Sequence, residues 1–498
     1  MSPFDRDFLS ATPAGRHAYA TAMTAAEAVI QRDLASLTGP YQGPSATDLA
    51  RLIGDLDVCP EEGHGLEPTL DLVGRLILRN SIVVSDPACL GHLHCAPLIP
   101  ALAAEALIAA ANQSMDSWDQ APAASYLEQR VIDWLCELFG FGPAADGLFT
   151  SGGTQSNFMG LMLARDAFAE QVCGWRIQDH GLPSTSSRFR ILCSEDAHFS
   201  VRQSAAILGL GQNAVVPVPV DAHRRIDVAE AANLINDLRK NGAQPIAIAA
   251  TAGTTDCGAI DPLPELAALA RAYGVWLHVD AAYAGALILS DRHRSKLAGI
   301  NLADSIAIDF HKLFYQPISC SAFLVRDRSA FNLIRLHASY LNPESNETAG
   351  VLDLVTKSIQ TTRRFDGLKP FVSLHSLGRK RIAAMIDTTI EVAQAAASLI
   401  AADPDLELAL PPSLNALMLR FCPPNVTPGA VTDQRIDAIN LAIQQRLLLE
   451  GHAMLARTEF RGRVFMKITL LNPRTTIANI ESILARLKVF GRAALANH

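Results

Sequence analysis

Lys312 stands in the run Asp309-Phe310-His311-Lys312, between two short apolar stretches, 305–308 and 321–325, each long enough for one buried strand. A lysine amine withdrawn from bulk water has its charged form destabilised and becomes a nucleophile. A strand-end lysine that reaches solvent is the plainer reading of the same residues. Upstream, Phe149-Thr150-Ser151-Gly152-Gly153-Thr154-Gln155-Ser156-Asn157 leads straight into a predicted helix. Two glycines, hydroxyl donors and the free N–H groups of a helix start together suit a phosphate group, although an ordinary capping loop has the same composition. Asp280, in His278-Val279-Asp280-Ala281-Ala282-Tyr283, ends the predicted strand 275–279, and the small residues after it leave room for a flat group against the carboxylate. Ser194-Glu195-Asp196-Ala197-His198 brings an imidazole to another strand end, and Thr251-Ala252-Gly253-Thr254-Thr255 brings hydroxyls to a third. Each of these alone reads equally well as a cap or turn.

Taken together they are the parts needed to hold pyridoxal 5′-phosphate. A lysine binds the aldehyde, a carboxylate keeps the pyridine nitrogen protonated, and a helix start takes the phosphate. Asp280 and Lys312 are 312 − 280 = 32 residues apart, room for one helix and one strand. A formal GxGxxA match at Gly209-Leu210-Gly211-Gln212-Asn213-Ala214 follows a helix and precedes a strand, the reverse of a dinucleotide site, and is set aside.

The elements that must position these residues alternate. Between 148 and 326, β-rich runs at 190–193, 214–218, 246–250, 275–279, 305–308 and 321–325 are separated by helical stretches at 157–168, 228–240 and 263–273. Such alternation predicts an α/β fold with a mostly parallel sheet covered on both faces, and ligands on such sheets sit at the carboxyl ends of the strands. Residues 1–85 read as a helical N-terminal arm, with helices at 18–37, 46–56 (N-cap Ser45) and 66–80; an arm with no strands of its own is expected to pack on something larger. Further helices are expected at 98–112 and 126–139. Residues 86–365 form the large cofactor-binding domain, and 342–349 reads as an exposed mobile loop. Residues 366–498 read as a small α+β domain with a long helix around 382–400, strands at 417–421 and 464–470, and a closing helix at 477–489.

Composition sets outer limits. The chain has 498 residues, 49% hydrophobic and 18% charged, with a net charge of −8, which argues against nucleic acid as partner. Nine dispersed cysteines without a CxxC pair suit free thiols in a reducing compartment. Cys89, His92, His94 and Cys95 cluster, but their spacing fits no standard zinc pattern, and no metal is expected. The first ten residues lack an apolar signal region, and the apolar stretch 98–111 is too short to span a bilayer. A cytoplasmic protein without membrane association is expected.

Read in order, Ser151-Gly152-Gly153-Thr154, Asp196-Ala197-His198, His278-Val279-Asp280-Ala281-Ala282 and His311-Lys312 resemble the signatures of the group II pyridoxal-phosphate-dependent amino acid decarboxylases. The resemblance runs from about residue 80 to 473. It implies a type I aminotransferase-like fold, a homodimer and a small amino acid substrate. It also implies that Lys312 is the covalent anchor of pyridoxal 5′-phosphate, that Asp280 pairs with the pyridine nitrogen and that His198 stacks on the ring. Gly153 and Thr154 would hold phosphate, with Thr255 and Ala282 nearby and His311 beside the lysine.

Within the family, Gly91-His92-Leu93-His94-Cys95, Asn112-Gln113-Ser114-Met115-Asp116-Ser117-Trp118-Asp119-Gln120 and the residues around Lys312 look most like the L-2,4-diaminobutyrate decarboxylases. These make 1,3-diaminopropane and carbon dioxide for siderophore or polyamine biosynthesis. Lysine or ornithine remains the alternative substrate, and His94 favours the shorter one. An aminotransferase or aldehyde synthase, and a catalytically silent partner subunit, are the readings from other classes. Candidate substrate contacts are His92 and His94, Asp116 and Asp119 for a distal ammonium, with Asp86 as a further candidate, and Lys467 for the carboxylate. Asp86-Pro87 departs from the family's His-Pro. From 342 to 363 there is no tyrosine where the family carries a catalytic one, so Tyr340, His198 and Lys312 are the candidate proton donors.

Overall fold

Runs of apolar residues without alternation belong to strands covered on both faces, and seven of them pair here. They are β1 (Asp146–Thr150), β2 (Phe189–Ser194), β3 (Val215–Val218), β4 (Gln244–Thr251), β5 (Trp276–Asp280), β6 (Ser305–Asp309) and β7 (Ser321–Val325). In this computed structural model, which describes residues 2–424 and 430–496, their order is β1-β7-β6-β5-β4-β2-β3. Neighbours from β3 to β6 run parallel, whereas β7 is antiparallel to both β1 and β6. All five residues of β6 and of β7 are buried. The fold is α/β and mostly parallel, as expected from the alternation.

The register decides which residues meet. Thr251 pairs with Asp280, Asp280 with Ala307, and Ser321 with both Asp309 and Thr150. The carboxyl ends of β1, β4, β5 and β6 therefore lie level, and β7 enters the sheet at the same edge. The loops that follow those strands are the ones that carry the chemistry-bearing motifs.

The helix Gly153–Cys173 leaves this edge and is buried along much of its length. Met159 and Leu163 join Leu148 and Phe323 in one core cluster, and Leu161 joins Ile191, Ile246 and Ala249 in another. Removing a side chain buried this way costs roughly 2–5 kcal/mol. Helix boundaries follow local chemistry: Asp227 accepts from the Ala229 and Glu230 N–H groups to start Val228–Lys240, and Gly174 and Gly274, both at φ 61°, end their helices in the left-handed conformation.

By contacts the chain divides into one unit of residues 1–92, 395–409 and 418–498, and another of 93–394 and 410–417. The first holds the arm helices together with β8 (Leu406–Leu408), β10 (Ala456–Phe460) and β11 (Arg463–Thr469), members of a sheet of order β10-β11-β9-β8 in which β9 is Ala416–Phe421. The residues just after the arm are stitched to this unit by backbone bonds. Leu90 N–H donates to Met454 O at 2.8 Å, Met454 N–H to Ala88 O at 3.0 Å, and Thr469 N–H to Leu90 O at 2.6 Å. The second unit holds the seven-stranded sheet. Residues 342–349, read as an aperiodic loop, contain the short helix Glu344–Thr348, held by Asn346 to Asp353 at 2.9 Å and by an Arg335–Glu347 ion pair at 2.6 Å.

Candidate active site

A cavity of about 260 Å³ opens at the carboxyl edge of the seven-stranded sheet. Its lining brings together Gly153, Thr154, His198, Thr255, Asp280, Ala282, His311 and Lys312, residues spread over 160 positions of sequence. A larger groove of about 440 Å³ lies at the opposite edge, beside Trp276 and Asp304, and among the described residues no lysine or histidine lines it. The motif residues converge on the smaller cavity.

The loop 151–154 lies directly on the cavity floor. A Cβ at Gly153 would stand 3.0 and 3.1 Å from the two Asp309 carboxylate oxygens and 3.2 Å from the Ala282 Cβ, so a larger residue here would crowd Asp309 and Ala282. Gln155 braces the turn by accepting from both the N–H and the hydroxyl of Ser151 at 2.8 Å. The helix begins at Gly153, which leaves its first N–H groups facing outward. Opposite, Lys312 Nζ lies 3.0 Å from Asp309 Oδ2, and His311 Nε2 lies 3.6 Å from the same oxygen. Asp309 Oδ1 accepts from the Ser321 hydroxyl at 2.6 Å.

Asp280 is 7% exposed and held from behind. Its Oδ2 accepts from Asn157 Nδ2 at 2.7 Å and its Oδ1 from the Ala282 N–H at 3.1 Å. Asn157 Nδ2 also donates to Ser200 Oγ at 2.9 Å, which lies 2.8 Å from His198 Nδ1. On its other side, Asn157 Oδ1 is 2.9 Å from His278 Nε2, and His278 Nδ1 is 2.8 Å from Ser305 Oγ. Burial pushes the fully enclosed His278 down to about 4, against the pull of Asp280. Desolvation likewise lowers His198, outweighing the Asp280 charge, and the Lys312 charge adds to the lowering.

The chain as a whole has relatives of known kind. The family model described as the pyridoxal-dependent decarboxylase conserved domain matches residues 64–421. The chain belongs to the pyridoxal-dependent decarboxylases. It is 42% identical over 483 residues to the L-2,4-diaminobutyrate decarboxylase of Rhizobium meliloti, covering 97% of this chain and 94% of that one. To the L-2,4-diaminobutyrate decarboxylase of Acinetobacter baumannii it is 40% identical over 434 residues, 86% and 84% of the two chains. Among solved structures, the glutamate decarboxylase domain of diaminobutyrate-pyruvate transaminase and L-2,4-diaminobutyrate decarboxylase from Vibrio parahaemolyticus superposes with a TM-score of 0.89 at 38% identity, covering 98% of this chain and 99% of that one.

The residues of this decarboxylase fit pyridoxal phosphate. An amine, a carboxylate and an imidazole converge on one cavity, and a glycine loop at a helix start brings N–H donors to its wall. The proposed substrate residues are placed differently. Among the described residues the cavity lining does not include Asp116 or Asp119. Asp116 is buried and accepts from the Ser117 N–H at 2.7 Å, while Asp119 is exposed and accepts from the Ser117 hydroxyl at 2.5 Å. His94 is exposed. His92 and Lys467 belong to the other contact unit, where Lys467 is buried on β11; His92 is lowered by desolvation first and by the Lys467 charge second. Asp86 accepts from the backbone N–H groups of Gly39 and Ala88 at 3.1 and 2.7 Å, a structural use of the position. Cys95 is buried, its thiol donating to His311 O at 3.3 Å. Tyr340 is 88% exposed.

Asp309 was legible as the acid three residues before the lysine, yet sequence reasoning did not assign it a site role. Asn157 and His278 lay inside quoted motifs without a role of their own, and Ser200 and Ser305 carried no signal.

Proposed function

We propose that this decarboxylase removes the α-carboxylate of L-2,4-diaminobutyrate, giving 1,3-diaminopropane and carbon dioxide. The observation that carries the substrate is the 42% identity to a L-2,4-diaminobutyrate decarboxylase along 97% of the chain. Bound pyridoxal phosphate supplies an electron-withdrawing ring that accepts the electron pair released when the carbon–carboxylate bond breaks. Lys312 is the amine that holds its aldehyde, with Asp309 beside it at 3.0 Å to take the ammonium charge. Asp280 would pair with the pyridine nitrogen, His198 would flank the ring, and the N–H groups at Gly153 and Thr154 would meet the phosphate, with Thr255, Ala282 and His311 beside them; all of these residues line the cavity. A proton must reach the α carbon once carbon dioxide has left. His198 and Lys312, which line the cavity, are the proposed donors for that transfer, whereas Tyr340 stands in solvent.

A diamino acid brings a second ammonium, which needs a carboxylate partner where it is enclosed. Asp119, exposed beside Trp118, is the proposed partner, and Lys467 the proposed partner of the substrate carboxylate. The proposal extends to a cytoplasmic homodimer serving siderophore or polyamine synthesis. Its supports are the free state of all nine cysteines and the exposed Ile99, Leu102 and Leu107 of the helix Ile99–Ala111, an apolar face that a second copy would cover. No helix among the described residues is long and apolar enough to cross a membrane.

The test is a kcat/KM panel of diaminobutyrate, ornithine, lysine, glutamate and tryptophan, run on a species sized by sedimentation. The expected result is a mass of twice 53.4 kDa and preference for diaminobutyrate. Asp119→Asn should raise KM for it by about 10-fold or more, as loss of a charged hydrogen bond does. Faster turnover of glutamate or tryptophan overturns the substrate.

A further inference from the structure

The hydrogen bonds behind Asp280 have only one consistent set of directions. An ionised carboxylate only accepts, so Asn157 must turn its Nδ2, not its Oδ1, toward Asp280 Oδ2 at 2.7 Å. Its second amide hydrogen then goes to Ser200 Oγ at 2.9 Å, and its Oδ1 is left to accept from His278 Nε2 at 2.9 Å. With its hydrogen on Nε2, His278 leaves Nδ1 to accept from the Ser305 hydroxyl at 2.8 Å, and Ser305 Oγ in turn accepts from the indole Nε1–H of Trp276 at 2.9 Å. At Ser200, the backbone N–H donates to His198 Nδ1 at 3.3 Å, which makes that nitrogen an acceptor, so the Ser200 hydroxyl hydrogen also points to it across 2.8 Å while its oxygen accepts from Asn157.

We propose that Asn157 is a positioning residue that holds both cofactor-facing groups through one amide: Asp280 as a pure acceptor and His198 as the tautomer with its hydrogen on Nε2. The Asp280 carboxylate fixes which way the amide faces, and His278, backed by Ser305, meets the amide oxygen that this leaves. The packing is built for this. Gly160 lies one turn beyond Asn157 on the same helix, and a Cβ there would stand 2.4 Å from His278 Nδ1 and 2.7 Å from its Cε1, so the bare glycine is what lets the imidazole lie flat against the helix. Asn157, Ser305 and His278 are all buried, which removes water as an alternative partner. Asp280 still has lone pairs to offer the cavity, because Asn157 and the Ala282 N–H occupy one site on each oxygen.

The inference rests on the pyridoxal phosphate site, and its test reads the cofactor directly. Recombinant protein is loaded with pyridoxal phosphate carrying ¹⁵N in the ring, and the nitrogen resonance is recorded for wild type, Asn157→Ala, His278→Gln and His278→Leu. In wild type the resonance should lie at the protonated position. Asn157→Ala should move it toward the unprotonated position and lower kcat about 10- to 100-fold, with KM changed less than about threefold. Gln at 278 keeps a donor near the Nε2 position and should leave the resonance close to wild type, whereas Leu, with no donor, should move it as Asn157→Ala does. An unmoved resonance in Asn157→Ala, or equal displacement by Gln and Leu, overturns the positioning role. If Asn157→Ala or His278→Leu fails to fold, Ser305→Ala decides by the same resonance, since it deletes the hydroxyl that faces His278 Nδ1, together with the acceptor of the Trp276 indole N–H, and touches neither Asn157 nor Asp280: a displaced resonance supports the role and an unmoved one overturns it. A wild-type protein that takes up no pyridoxal phosphate refutes the cofactor site itself, a result distinct from either.

Discussion

Burial sets the charge of the histidine deepest in the site. His278 is fully enclosed, and removal from water lowers it from an ordinary 6.5 to about 4. The unfolded chain therefore binds a proton at this ring between about pH 6.5 and 4 that the folded chain does not. Stability rises with pH wherever the unfolded state holds more protons, so in this window it falls as the solution is acidified. Across about 2.5 units the loss is on the order of 3 kcal/mol. The urea midpoint of wild type should drop between pH 6.5 and 4 by more than that of His278→Gln, which has no ring to titrate. Parallel drops would show that other groups dominate. At this scale the legible residues were those that end strands: Lys312, Asp280 and His198 each follow an apolar run and stand together in the structure. Their supports were not legible. Asn157 is 123 positions from Asp280 and 121 from His278, and no local pattern announces a hydrogen bond across that distance.

The elements around the site are held by a buried ion pair. Arg363 donates to Glu128 at 2.8 Å, with the two side chains 4% and 1% exposed, and it also reaches Phe149 O at 3.1 Å and Met115 O at 3.2 Å. It thus joins the helix Pro122–Leu138, the end of β1 that feeds the glycine loop, and the segment carrying Asp116. Removing one partner of such a pair leaves the other charge buried and costs roughly 3–5 kcal/mol. Glu128→Gln should lower the urea midpoint accordingly, and a midpoint within error of wild type would discount the pair. The helices 228–240 and 263–273 and the strand 321–325 appear at the positions their periodicity and apolar runs predicted. The strands β1, β8 and β10 were not read. β1 opens with Asp146-Gly147, β8 is three residues long, and β10 has only its two end residues buried, so none carries a clear apolar run. Their pairing partners, distant in sequence, make them strands.

At the scale of the whole chain, the seven-stranded sheet acts as a ruler. Because β4, β5, β6 and β7 end or begin in register, five loops deliver an amine, two carboxylates, an imidazole and a phosphate cradle to one edge. The alternation of strands and helices made this edge predictable from sequence. The substrate side was not predictable in the same way, since Asp116, Asp119, His92 and Lys467 lie on segments whose positions depend on long-range packing. The central claim is that Lys312 makes this edge a decarboxylase for a diamino acid. It is tested most directly by incubating the cofactor-loaded protein with carboxyl-labelled L-2,4-diaminobutyrate and measuring carbon dioxide and 1,3-diaminopropane together. The account predicts one carbon dioxide for each diamine from wild type and neither product above the blank from Lys312→Ala. Carbon dioxide without the diamine, or wild-type release from Lys312→Ala, would contradict it.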